Sequence, residues 1–368
     1  LWAGHVEIHI NSSDWYAHNH ERDPNYDQVI LHVVWNHDVA VFQGSNRTLT
    51  TLVLKEYISY DLVTAYSDLF SKGVRWINCE RSIGGISDII VLQWKERLFF
   101  ERMEERSQSI IESLKRTQCD WEATLFIMLA RNFGLTVNSD VFRELAESID
   151  MKVIRKTQHD VLALESLFFG QAGLLEDTDE PYSRLLVEKY NYLCSKFELR
   201  SPVKQKVSFF RLRPLNFPTI RLSQLAALYH KEVNLFSTFI KLNTIKDVRD
   251  LFRVTTTQFW ETHYTFQKET GKYVKRLSES FIDLLLINTL IPMRYLYQKQ
   301  MQLDNTEGIL EMIGELKPEQ NSIISNFDTL GIQSFSAMDT QALLHLKKLY
   351  CDQGRCLSCA IGVQLLKG

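Results

Sequence analysis

The chain has 368 residues, 45% hydrophobic and 24% charged, a make-up that excludes a disordered or collagenous chain and predicts two or three folded domains. The net charge of -3 hides an asymmetry: residues 200–300 hold 17 Lys and Arg against seven Asp and Glu. The remainder is therefore acidic, and the basic stretch is expected to face an anionic partner.

In chain order, the opening hundred residues are predicted as sheet. His5 to Ile10 alternates polar and apolar at period two, Val29 to Trp35 is an almost continuous apolar run, and Val39 to Phe42 and Leu49 to Leu54 follow at hairpin spacing. Strands are expected to predominate to about residue 95. Beyond Gln93 the period becomes helical: Leu98, Phe99, Met103, Ile110, Ile111 and Leu114 share one face. Asp120 starts a second helix ending near Gly134, and Asn138-Ser139-Asp140 reads as the cap of a third. Further helices are predicted near 159–169, 182–197, 219–241, 246–253, 276–301, 318–329 and 336–350. The expected class is α+β: a β-rich, metal-binding domain over residues 1–95, then a mostly α-helical domain over 96–368 with the basic segment and a cysteine-containing tail.

No apolar run reaches the roughly 18 residues of a membrane span, and the stretch from Phe281 to Met293 is broken by Asp283, Asn288 and Pro292. No membrane partner is expected. Six scattered cysteines are too few to staple such a chain and point to a reduced, cytoplasmic setting. The sequence opens at Leu1 inside a strand pattern, so that residue is expected to be a cut edge.

Six of the ten histidines, His5, His9, His18, His20, His32 and His37, fall within the first 37 residues. Side chains alternate across a strand, so His5, Glu7 and His9 share a face, with Val6, Ile8 and Ile10 expected to pack on the other. Glu7 and His9 side by side suit a divalent metal, through the carboxylate, with the imidazole as ligand or base; a solvated edge strand gives the same alternation. His32 lies in an apolar run, is expected to be buried, and needs a hydrogen-bond partner or a metal. His18 and His20, one residue apart with Asp14 and Asp23 nearby, can reach one metal or one phosphate, or stand in a solvated loop.

Gly4 to His9, Ser13-Asp14-Trp15, His18, His20, Tyr26 and Val29 to Val34 together resemble the bacterial family designated domain of unknown function 2851. Phe169 to Leu175, Arg211 to Pro218 with Arg221-Leu222, and Cys351 with Cys356 to Gly362 fit the same family. The resemblance implies an aspartate-bearing segment just upstream. An Asp followed by Glu-x-Lys is also the metal-chelating order of the PD-(D/E)xK nucleases. That similarity makes Glu7 the second acid and puts His9 where those enzymes have lysine.

Arg211, Arg213 and Arg221 flank Pro214 and Pro218, with Thr219 as a candidate helix cap; guanidinium groups on such a loop suit phosphate, or pair with the acidic remainder of the chain. Lys268, Lys272, Lys275 and Arg276, interleaved with Phe266 and Tyr273, extend this basic character. Near the end, Cys351-x4-Cys356-x2-Cys359 can wrap Zn²⁺ or an iron–sulfur cluster, with Cys79, Cys119, Cys194 or a histidine as fourth ligand, or remain reduced thiols.

The leading expectation is a metal-dependent phosphodiesterase, nuclease-like, acting on or binding nucleic acid. Glu7 and His9 are its catalytic candidates, Glu7, His9, His18, His20 and His32 its candidates for Mg²⁺ or Mn²⁺, and Arg211, Arg213 and Arg221 its phosphate contacts. The competing expectations are a non-enzymatic scaffold for nucleic acid or protein, and a small-molecule hydrolase using Zn²⁺ on the histidines.

Overall fold

The opening alternation forms a strand, but in an unexpected setting. β1 (His5–Asn11) pairs in parallel with β2 (Val29–Asn36), and β2 in parallel with β3 (Thr51–Val53), giving a sheet of order β1-β2-β3. Parallel neighbours need a crossover rather than a tight turn, and residues 12–28 supply it with α1 (Asp14–Ala17) and two 3-10 turns. The expected hairpin survives only as a local turn in which Phe42 bridges Thr48 antiparallel before the chain enters β3.

The crossover inverts the expected burial of β1. It lays Trp15, fully buried, against His32 at 5.4 Å between ring centroids, on the face that carries Glu7 and His9. Val6, Ile8 and Ile10 are consequently the exposed side, at 51%, 67% and 69%.

Strands also stop well before residue 95. Leu62, Val63, Tyr66, Leu69 and Phe70 recur at helical spacing, and the Ser59 hydroxyl accepts the Leu62 N–H to cap α2 (Tyr60–Phe70). α3 (Asp88–Arg116) follows.

The structure, a computed structural model, describes residues 3–71, 73–175, 180–199, 205–303 and 306–367; Leu1 and Arg200, at the start of the basic segment, lie outside them. The chain forms two compact units. One comprises residues 1–94, 329–332 and 346–368; the other comprises 95–328 and 333–345. The last turn of the chain, with Cys356 and Cys359, thus belongs to the unit that holds the sheet. Among the described residues no helix is long and apolar enough to cross a membrane.

The second unit is mostly helical: α4 (Trp121–Phe133), α5 (Leu135–Glu147), α6 (Met151–Thr157), α7 (Val161–Gln171), α8 (Pro181–Phe197), α9 (Pro218–Lys231), α10 (Leu235–Phe239) and α11 (Ile245–Leu251). A two-strand antiparallel ribbon, β4 (His263–Thr265) with β5 (Lys268–Glu269), precedes α12 (Glu279–Leu285), α13 (Ile291–Gln300), α14 (Thr306–Glu315), α15 (Ser322–Thr329) and α16 (Ala337–Leu346). Asp120 caps α4 through the Ala123 N–H. Asn138 is no cap: it lies buried inside α5, bonding both the N–H and the carbonyl of Ser208. Pro292 has no N–H to give the Asn288 carbonyl, and the π turn Leu286–Leu290 between α12 and α13 absorbs the defect.

A buried carboxylate ties this unit together. Glu165, fully inaccessible on α7, accepts the Trp260 indole N–H at 3.0 Å, the Thr257 hydroxyl at 3.0 Å and the Tyr182 hydroxyl. Truncating it leaves buried donors unmatched. Glu165→Ala is therefore expected to lower the unfolding free energy by about 3 kcal/mol, measured by urea denaturation followed through tryptophan fluorescence.

Candidate metal centre

The crossover that buries Trp15 also sets the histidines. Asn19 sits in the left-handed region at φ 59°, a conformation asparagine tolerates better than most residues. That single turn lets His18 and His20 point to the same place. His20 stacks on Tyr26 at 3.7 Å between ring centroids and meets Trp15 edge-on at 5.4 Å. Trp15 in turn packs in a core with Val29, Val41 and Leu49. Asp38 fastens the end of β1 by accepting both the backbone N–H and the hydroxyl of Ser13, bonds that hold its carboxyl down to about 2.

Against this loop stands β1. His9 Nε2 lies 3.1 Å from His18 Nδ1 and 3.6 Å from Glu7 Oε1, and His20 Nε2 lies 3.9 Å from the same Glu7 oxygen. One ligand atom from each of His9, His18 and His20 falls within 4.8 Å of the others. Ligand nitrogens around a tetrahedral ion with bonds of about 2.0–2.1 Å stand roughly 3.3 Å apart, so the triad is close to a coordinating spacing without rearrangement. His20 and Glu7 are half-buried and His18 is exposed, so the cluster is reachable from solvent.

His32 occupies a different position from the other candidates. Its ring is fully buried, and its Nε2 lies 2.9 Å from His9 Nδ1, behind the cluster rather than in it. Nδ1 of His32 has no hydrogen-bond partner among the described residues. Burial, reinforced by His9, pushes His32 down to about 4, and burial likewise lowers His9, opposed by the Glu7 charge. His32 is thus a neutral prop for His9, fixing its ring so that Nε2 faces the triad. Of the clustered histidines, His5 and His37 stay exposed and outside the triad. Asp14 is turned to the Asn11 N–H, and Asp23 to Asn25.

One part of this face escaped the sequence. Asn11, two residues past His9, accepts Asn36 Nδ2 at 3.2 Å, and Lys55 Nζ reaches Asn36 Oδ1 at 3.2 Å. These residues end three parallel strands on the side where open parallel sheets gather ligands. Lys55 is exposed and could not have been placed there without the parallel pairing of β3.

A family profile described as "Protein of unknown function (DUF2851)" matches residues 1–322. The chain belongs to this family. DUF2851 assigns no activity, and no curated protein and no solved structure matches the chain. The histidine triad and Lys55 both lie within the matched DUF2851 residues.

The basic candidates in the second unit separate. Arg211, at φ 58°, and Arg213 are exposed, with Arg211 over the Phe210 ring at 5.1 Å. Arg221 is not available to phosphate: it is buried at 6%, donates to Asn216 and Gln224, and lies 3.6 Å from the Phe281 ring centroid. Thr219 does not cap α9 but donates to the Tyr264 carbonyl. Lys275 is likewise buried, bonded to the Trp260 and Glu261 carbonyls.

The depressed histidines set a pH dependence. Their native forms bind protons less readily than the unfolded chain, whose histidines titrate near 6.5, so the stability they contribute is present above that pH and is lost as pH falls toward 4. Metal-free protein is expected to lose thermal stability over this window. His32→Phe is expected to flatten the slope, as measured by melting temperature against pH; an unaltered slope would place the acid sensitivity elsewhere.

Proposed function

We propose that the sheet-bearing unit is a divalent-metal hydrolase of phosphodiesters, with His9, His18 and His20 holding one ion. The convergence of those three imidazoles on one point carries the reading. Three nitrogen donors suit Zn²⁺ and do not suit Mg²⁺ or Mn²⁺, which prefer oxygen. A bound ion of this kind supplies Lewis acidity and activates water near neutral pH.

The chain's own residues do the rest. His32 orients His9 through the 2.9 Å contact, and Glu7, beside two of the imidazoles, takes the proton of the attacking water at Oε1. Lys55, with the amides of Asn11 and Asn36, provides cation and donors for a phosphate placed beyond His9. A cleft of imidazoles next to a lysine favours an anionic ester over a neutral one.

Purified protein is expected to hold one zinc per chain on the histidines, measured by elemental analysis. His18→Ala is expected to lower metal affinity at least about 10-fold. Glu7→Gln should keep the metal while cutting hydrolysis of a chromogenic phosphodiester and of oligonucleotides by about 100-fold or more. Metal-loaded wild type that cleaves neither substrate sinks the proposal.

A second reading, a non-enzymatic nucleic-acid binder, is favoured by the exposed Phe210 at 71% beside exposed Arg211 and Arg213. Aromatic rings next to arginines stack bases and neutralise backbone. Under it, Arg211→Ala with Arg213→Ala weakens oligonucleotide binding and reduces its salt dependence by about two phosphate contacts, read by fluorescence anisotropy across a salt series.

A further inference from the structure

The cysteine spacing near the end of the chain left its fourth partner open among several residues. The structure brings Cys79 near Cys356 and Cys359. It lies in the turn between α2 and α3, where the neighbouring Asn78 amide reaches Cys356 Sγ at 3.5 Å. Cys351 closes a π turn (Lys347–Cys351), Cys356 opens a 3-10 turn, and Cys359 precedes α17 (Ala360–Lys367). All four thiols belong to the sheet-bearing unit, and none is in a disulfide. Cys119 is exposed, and both Cys119 and Cys194 belong to the other unit.

Two backbone features draw these segments together. Gly354, at φ 63° in the left-handed region, reverses the chain between Cys351 and Cys356. Gly362 lets α17 press on the Cys356 turn: a Cβ there would stand 2.2 Å from the Cys356 carbonyl oxygen. Burial raises the Cys359 thiol, and the N–H groups of Gly362 and Ile361, which bond its sulfur, oppose that rise. Burial, together with the neighbouring Cys359 and Cys356, pushes the Cys79 thiol up to about 12, and burial with Cys79 beside it raises Cys351 too.

The spacing chooses the group. Cys-x4-Cys-x2-Cys with one remote cysteine is an iron–sulfur pattern, whereas zinc sites pair their cysteines two and two. Among the described residues the group of three or more donors within 4.8 Å of one another is the histidine triad, so no three of these thiols stand at the roughly 3.8 Å spacing of sulfurs around a single zinc. We propose that Cys79, Cys351, Cys356 and Cys359 ligate an iron–sulfur cluster that pins the end of the chain to the turn after α2. This site is independent of the histidine centre.

The test is the full chain purified without oxygen, assayed for iron, zinc and acid-labile sulfide. The expected result is about two or four irons per chain with equal sulfide, a brown colour, and loss of both in Cys79→Ser and Cys356→Ser but not in Cys119→Ser or Cys194→Ser. Sulfide separates the cluster from iron held on histidines. Wild type that stays colourless after anaerobic reconstitution with ferrous iron and sulfide overturns the proposal without recourse to any variant, as does zinc that is bound by wild type and lost in Cys79→Ser, or full sulfide content in Cys79→Ser.

Discussion

A neutral imidazole in an apolar interior is the constraint on which the sheet-bearing unit turns. His32 packs against Trp15, and among the described residues its ring hydrogen-bonds outward to His9 alone. Losing a buried polar partner costs roughly 1–3 kcal/mol, so the His9 ring is held where His32 needs it. That ring then faces His18, His20 and Glu7. The candidate centre is thus a by-product of satisfying the core: the group that must be paired inside fixes the orientation of the group that meets solvent.

Parallel pairing supplies the other half. Because β1 and β2 run the same way, their connection has to cross one face of the sheet, and this crossover carries Trp15, His18, His20 and Tyr26. The face under it is therefore the polar one. A hairpin between the same strands would have left the histidines of the loop at the sheet's end, far from His9.

Local chemistry was legible in the sequence; topology was not. Alternation identified β1, the Asp120 cap located α4, and the density of histidines marked Glu7, His9, His18 and His20 as neighbours, since sequence separation among them is short. The α+β class followed from the change of period near residue 95. Hydrophobicity misled for Val6, Ile8 and Ile10 because which side of a strand is covered depends on what crosses it. The same limit applied to Lys55, whose placement rests on β3 joining β2 in parallel. Arg221 and Lys275 read as a basic surface, yet each is buried among carbonyl, amide and aromatic partners; charge counts carry no information about burial. The proximity of Cys79 to Cys356 and Cys359, which the spacing left undecided, rests on contacts between segments far apart in sequence.

That meeting of distant segments has a consequence for biosynthesis. Asn78 and Cys356 touch across 278 residues of chain, so a ribosome delivers the strands and the first thiol long before the segment that completes their unit. During that interval the strands belong to an unfinished intermediate, the kind of species that chaperones attend. The helical unit, encoded in between, has time to fold before the sheet-bearing half is complete.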